Sequence, residues 1–415
     1  MRSGSAPPDG GAPDGQAPDG RAPDGEDPDG GAPGPGTVRD PATVAAHGVR
    51  STPPEALPAG LRGTPAAEPF HPAAVFDFDS IEDSDAPLAG RGGYVYARYG
   101  TPNPRTLELT VAALERTADA LATSTGTSAV LGAILACAGS GDLVAVQSDA
   151  YGGTLALLDI DLARLGVRSE RVDALDLAAV DAALARGAKA LLVETLSNPL
   201  LREAPLAELA SLCRARGAVL IVDNTFATPV LRRPAETGAD LVVHSATKFL
   251  GGHHDLCAGV VAGRADLVAA ARGIAKRMGF TASPFDAWLC CRGMKTLAVR
   301  VERGQDNARR LVAWLRAGAR AGAVHYPGWG ALVTFDVGDS GAASRFVRAL
   351  RLVTLTPSLG GVTTTLSHAA TSSHRNMPAD ARRALGITDG LLRMSVGIES
   401  AADLEEDLAR AFAAL

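Results

Sequence analysis

Residues 218–252 read AVLIVDNTFATPVLRRPAETGADLVVHSATKFLGG and contain two unbroken apolar runs, Val219–Val222 and Leu241–Val243, each closing on polar residues. Runs this short, bounded by turn-forming residues, read as strands buried on both faces, as in the parallel sheets of α/β folds. The first ends Asp223, Asn224, Thr225; the second ends His244, Ser245, Ala246, Thr247, Lys248. In an open parallel sheet, ligands sit beyond the carboxyl ends of the strands. A carboxylate and an amine are therefore expected at neighbouring strand ends, beside a binding crevice.

The same texture extends outward from this stretch. DLVAVQS (142–148), KALLVET (189–195) and CAGVVAG (257–263) are further strand candidates. Between them lie the helical patterns SAVLGAILACAG, GTLALLDIDLARLG, DLAAVDAALARG and LAELASLCRARG. This alternation predicts an α/β large domain with a mostly parallel sheet over 94–300. Long helical patterns then run to about Ala321, followed by ALVTFDVG, LVTLTPS and LLRMSVGIE and a last helix capped by Ser400 and Asp403. A smaller C-terminal α+β domain is expected over 301–415.

Towards the N-terminus, residues 6–36 cycle through PDG units with almost no apolar side chain larger than Ala. Such a tract cannot offset the entropy of ordering itself, so 1–36 is expected to be a disordered tail. Residues 37–93, rich in Pro and Gly, are expected to form an extended arm of the kind that wraps a neighbouring subunit.

The 415 residues are 46% apolar and 21% charged, with a formal net charge of −6, so no basic stripe exists to neutralise the phosphates of a nucleic acid. No window approaches the roughly 18 apolar residues of a membrane span, and the first thirty residues lack a secretory layout. A soluble, cytoplasmic protein without membrane or nucleic-acid partners is expected. The five cysteines show no metal-ligand spacing and read as reduced packing residues.

For Asp223 and Lys248 the ordinary alternative is a mutual salt bridge, yet a lysine between an apolar strand and FLGG is costly to bury without a task. An amine held there can form a Schiff base with a carbonyl cofactor. Pyridoxal phosphate demands a lysine for its aldehyde, an acid for its ring nitrogen and groups for its phosphate. The segment TSTGTSAVLGAI (123–134) brings hydroxyls and Gly126 to a helix start, where free N–H groups favour an anion, and Ser245 and Thr247 complete a cup. Small polar residues also cap helices without binding anything, so this turn counts only jointly with Lys248 and Asp223. The chain lacks a GxGxxG fingerprint and a GxxxxGK[ST] loop.

Eight ordered blocks, YARYGTP (96–102), SDAYGGT (148–154), ETLSNP (194–199), VDNTFATP (222–229), HSATKFLGGHHD (244–255), RGMKTL (292–297), SLGG (358–361) and LLRMSVGIE (391–399), resemble the Cys/Met-metabolism (transsulfuration) family of pyridoxal-phosphate enzymes. The resemblance runs from about Val44 to the C-terminus. It implies the aspartate-aminotransferase-like fold (fold type I), a cytoplasmic homo-oligomer, usually a tetramer, and a small amino-acid substrate. It also implies that Lys248 is the Schiff-base lysine and proton shuttle and that Asp223 pairs with the ring nitrogen. Asn198 would neighbour the phenolic oxygen, and Thr225 would be a further cofactor contact. Tyr151 would stack on the ring and exchange a proton with the leaving group. Gly126, Thr127, Ser245 and Thr247 would bind the phosphate, with Tyr96 and Arg98 reaching the phosphate of a neighbouring subunit. Arg393 would hold the substrate α-carboxylate, helped by a group near Ser358.

His253, His254 and Asp255 suggest no metal site, because adjacent histidines diverge on a regular backbone and the family has a similar turn without metal. Where cystathionine enzymes of the family read SLGGxES, this chain has Thr363 and Thr364 for the glutamate and serine, which marks both as candidate substrate-binding residues. Gly153 stands where methionine γ-lyases carry cysteine. The implied activity is a lyase that eliminates a γ or β substituent through a quinonoid intermediate. The alternative is γ-replacement on an activated homoserine.

Overall fold

The computed structural model describes residues 39–49, 65–318, 321–375 and 377–415. The expected tail lies outside the described residues, as do residues 37, 38 and 50–64 of the expected arm.

Seven strands form the larger sheet: β1 (Asp119–Thr123), β2 (Leu143–Gln147), β3 (Arg168–Val172), β4 (Ala188–Glu194), β5 (Val219–Asp223), β6 (Leu241–Ser245) and β7 (Gly259–Gly263). Their order is β1-β7-β6-β5-β4-β2-β3. The pairs β2/β3, β2/β4, β4/β5 and β5/β6 are parallel, and β7 runs antiparallel to both neighbours. All five runs read as strands in this part of the chain form strands. Leu220, Ile221 and Val222 of β5 have no solvent exposure, and burying each such side chain contributes about 1.5–3 kcal/mol.

Two strands escape the apolar-run criterion. β3 is an edge strand with sequence RSERV, only half covered, and β1 carries small residues, DALAT.

Helices pack on both faces of this sheet. Gly126–Leu135 and Ala265–Met278 enclose one core with Val144, Val146, Ile221 and Val243; Leu177–Ala185 and Leu206–Arg216 enclose the other with Leu191, Val193, Leu220 and Val222. The period-2 alternation of a strand sends successive side chains to these two cores.

A second, antiparallel-rich sheet follows, from β8 (Val324–His325), β9 (Leu332–Asp336), β10 (Thr354–Leu355), β11 (Thr365–His368) and β12 (Leu391–Ser395), ordered β10-β11-β12-β9-β8. Its core includes Phe335, Phe346 and Leu392 and the long helix Leu297–Ala317. The run LVTLTPS pairs over two residues only, because the chain turns at Pro357 towards the cavity described below. Ser400 precedes the last helix, Ala401–Phe412, but its side chain makes no capping hydrogen bond, contrary to the expected cap.

Residues 65–93 of the arm are largely extended, with a helix over Ile81–Leu88. Asn103 fastens the arm by accepting from His71 N at 2.8 Å and donating to Pro69 O at 2.8 Å, and Phe70 meets Phe285 edge-on. None of the described helices is long and apolar enough to cross a membrane.

Candidate active site

The carboxyl ends of β4, β5 and β6 open into a cavity of about 700 Å³, walled on the other side by Pro357, Leu359 and Arg393. Strand direction alone delivers Glu194, Asp223 and Ser245 to this floor.

Lys248 lies one turn beyond β6, and its Nζ donates to Ser358 Oγ at 3.0 Å. Burial, together with the charge of Arg393, holds the amine below the usual lysine range. It does not pair with Asp223 in an ion pair, so the ordinary salt-bridge alternative is not what the structure shows. Asp223 Oδ1 accepts from Thr225 N at 2.9 Å. Burial pushes its carboxyl above the usual range, opposed by its bonds to Thr225 and by nearby His244. Thr225 serves twice, since its Oγ1 also accepts from Ser245 N at 2.8 Å and so ties the ends of β5 and β6 together.

The helix Gly126–Leu135 begins against Ser245. Thr125 caps it by accepting from Ser128 N at 2.9 Å. A Cβ at position 126 would stand 2.6 Å from Ser245 Cβ, so only glycine allows the helix start to approach β6 this closely. Gly126, Thr127, Ser245 and Thr247 thereby share one wall of the cavity. Helix N-termini with free N–H groups favour anions there.

Arg393 projects from β12 with 5% exposure. Its Nη1 donates to Asn198 Oδ1 at 2.6 Å and its Nη2 to Ser358 O at 3.4 Å, while Nε has no partner. The guanidinium lies 5.5 Å from the Phe226 ring centroid. Burial brings its pKa down to about 10. Tyr151 stands at the cavity wall with its ring half exposed, and a Cβ on Gly153 would lie 2.4 Å from its Cε1. The glycine at 153 is thus a condition of this ring position.

The other predicted residues lie elsewhere. Thr363 lines a neighbouring cavity of about 400 Å³ that also includes Thr247 and Ser358. Thr364 is fully buried, and its hydroxyl donates to Glu399 Oε2 at 2.8 Å while accepting from Gly397 N at 2.9 Å. Tyr96 and Arg98 are exposed and away from the cavity, with Arg98 Nη1 donating to Lys276 O at 2.8 Å.

Three residues were missed by the sequence reading. Glu194 was legible by the same strand-end rule that found Asp223. Phe226 and Arg300 carry no such signal. Arg300, on the long helix, donates through Nη1 to Phe249 O at 2.8 Å and through Nη2 to Gly293 O at 2.9 Å, fixing the turn after Lys248.

A half-buried lysine amine below its ordinary range, a half-buried carboxyl without a cation and a helix start that only glycine lets approach β6 fit pyridoxal phosphate. Fold and cavity together define a pyridoxal-phosphate enzyme. The family model described as Cys/Met metabolism PLP-dependent enzyme matches residues 62–413, and the chain belongs to that family. It is 39% identical over 383 residues to the O-succinylhomoserine sulfhydrylase of Pseudomonas aeruginosa, covering 87% of this chain and 94% of that protein. To the cystathionine γ-lyase of Bacillus subtilis it is 38% identical over 343 residues, covering 78% and 90%. The crystal structure of cystathionine γ-synthase from Xanthomonas oryzae pv. oryzae, in complex with aminoacrylate and cysteine, matches with a TM-score of 0.84 and 36% identity over 91% of this chain and 100% of that one. The family contains both elimination and replacement enzymes.

Proposed function

We propose that this protein catalyses γ-replacement on an α-amino acid with a leaving group at Cγ, such as an acylated homoserine, with a thiol or sulfide as the entering group. Elimination to a 2-oxo acid and ammonia is the outcome when no nucleophile enters. The observation that carries this reading is the second cavity: it shares Thr247 with the first, and its Ser358 holds the Lys248 amine. A second reactant admitted there arrives beside the proton-moving group. Its described lining holds hydroxyls, Leu256 and His254 but no carboxylate, lysine or arginine, which suits a small thiol or sulfide. Similarity to the Pseudomonas sulfhydrylase supports the same order of the two readings.

Pyridoxal phosphate, when bound, supplies an electron sink that acidifies hydrogens on the substrate carbons. Gly126, Thr127, Ser245 and Thr247 would hold its phosphate, and Asp223 would keep its ring nitrogen protonated. Arg393, oriented by Asn198 and Ser358 and with its Nε unpartnered, would hold the substrate α-carboxylate in a planar, paired geometry that lysine cannot reproduce. The Lys248 amine, with its pKa lowered, takes the proton from Cα and relays it, steadied by Ser358. Tyr151 would pass a proton to the departing group.

Exposed Val75 and Ile81 on the arm, with Tyr96 and Tyr99 just after it, support assembly with a second copy, in which Tyr96 and Arg98 would serve the partner's cavity.

The deciding experiment incubates holoenzyme with O-succinylhomoserine, O-acetylhomoserine, cystathionine and methionine, with and without a thiol, and identifies products by mass spectrometry. A thioether amino acid formed only with thiol is the expected result. Equal 2-oxo acid with and without thiol, and no thioether, would establish elimination instead.

A further inference from the structure

Glu194, at the end of β4, has no part in the chemistry above, yet it lines the cofactor cavity and is only 8% exposed. Its Oε1 accepts from Tyr151 N at 2.7 Å. Its Oε2 is buried with no hydrogen-bond partner. Its own backbone is fixed from below, where Glu194 N donates to Gln147 Oε1 at 2.9 Å.

Three acids gather at these strand ends: Asp149 after β2, Glu194 on β4 and Asp223 on β5. Asp149 is ion-paired with Arg202 at 2.8 Å. Asp223 faces the place where a protonated ring nitrogen would sit. Arg393, which lines the same cavity, directs its donors to Asn198 and Ser358. Of the three, Asp149 alone is ion-paired among the described residues; a bound cofactor's ring nitrogen would give Asp223 its cation and leave Glu194 without one. A buried charge without a partner is costly, and clustered carboxyls do not all ionise together. The proton therefore belongs on Glu194. Burial and the neighbouring Asp223 push its carboxyl well above the usual range, in the same sense.

We propose that Glu194 is a positioning residue that acts as a neutral carboxylic acid at the edge of the cofactor cavity, fixing the backbone of Tyr151 through one oxygen and carrying its proton on the other, buried one. It adds no charge to compete for Arg393, and it sets where the Tyr151 ring meets the cofactor.

Glutamine reproduces both the acceptor and the donor of a neutral acid, whereas alanine reproduces neither. Reconstitution of apoenzyme with pyridoxal phosphate, followed by visible absorbance and induced circular dichroism, separates the cases. Glu194→Ala is expected to weaken cofactor binding about tenfold, the effect of one or two lost buried hydrogen bonds, and to diminish the induced dichroism. Glu194→Gln is expected to restore both most of the way. Failure of glutamine to rescue, or an alanine variant that binds like the parent, would overturn the proposal. Should the alanine variant not fold, infrared difference spectra decide: the parent holoenzyme shows a protonated-carboxyl band near neutral pH that Glu194→Gln lacks, and its absence from the parent refutes the neutral acid. These readouts are independent of whether the reaction ends in replacement or elimination.

Discussion

If Lys248 anchors the cofactor and moves protons as proposed, its replacement with alanine should lower turnover about a thousandfold or more, with loss of the visible absorbance of the lysine-bound cofactor. Product assays and a spectrum of the purified variant check this together, and a variant with normal turnover would remove the mechanism. The surroundings of Lys248 add a pH prediction. Burial and Arg393 both lower its pKa, so the free amine persists to lower pH than an ordinary lysine allows. Arg393→Met deletes a positive charge and must let that pKa rise. The pH dependence of cofactor capture by apoenzyme, measured by stopped-flow absorbance, should then shift to higher pH. An unmoved profile would mean that burial alone sets the amine. If Arg393 holds the α-carboxylate as proposed, the same variant should raise the KM for the amino acid far more than it lowers kcat.

At the scale of elements, the turn after Lys248 is held by a different helix. Arg300 on Leu297–Ala317 is 8% exposed and donates to the carbonyls of Phe249, Leu250 and Gly293. Arg300→Met would leave these acceptors without donors, at a cost of about 3 kcal/mol. Urea unfolding measures it, and a loss below about 1 kcal/mol would show that water replaces the guanidinium. This contact was not legible in the sequence, since nothing local links position 300 to position 249. The strands were legible where both faces are buried, as in β5 and β6, because burial forces a continuous apolar run. β3 was not, because an edge strand tolerates Arg168 and Glu170. The site followed the same logic: Asp223 and Lys248 end apolar runs, whereas Thr363 and Thr364, singled out by their departure from a family pattern, lie outside the main cavity. Thr364 is bound to Glu399 within the fold, a placement set by contacts far along the chain.

At the scale of the whole molecule, the cavity exists because two cores meet: the larger sheet supplies Asp223 and the lysine turn, and the smaller sheet supplies Arg393. Anything that loosens their contact should therefore loosen the site. The segment 368–375 crosses this junction, where Ser373 O stands 1.9 Å from the place a Cβ on Gly152 would take. Within it His374 is 1% exposed, with Nδ1 on Ser373 Oγ at 2.9 Å and Nε2 unpartnered. Burial, with Arg393 nearby, lowers its pKa from 6.5 to about 4. The sign follows from proton counting: between these values the unfolded chain takes up a proton that the folded chain refuses. Folding stability should thus decline as pH falls from about 6.5 to about 4, with His374 accounting for up to about 3 kcal/mol of the loss. His374→Gln removes the titrating group, so its stability, measured by urea unfolding at several pH values across this window, should fall less steeply than that of the parent. Parallel curves would show that His374 takes its proton without unfolding the junction, and that the two cores tolerate a cation between them beside Arg393.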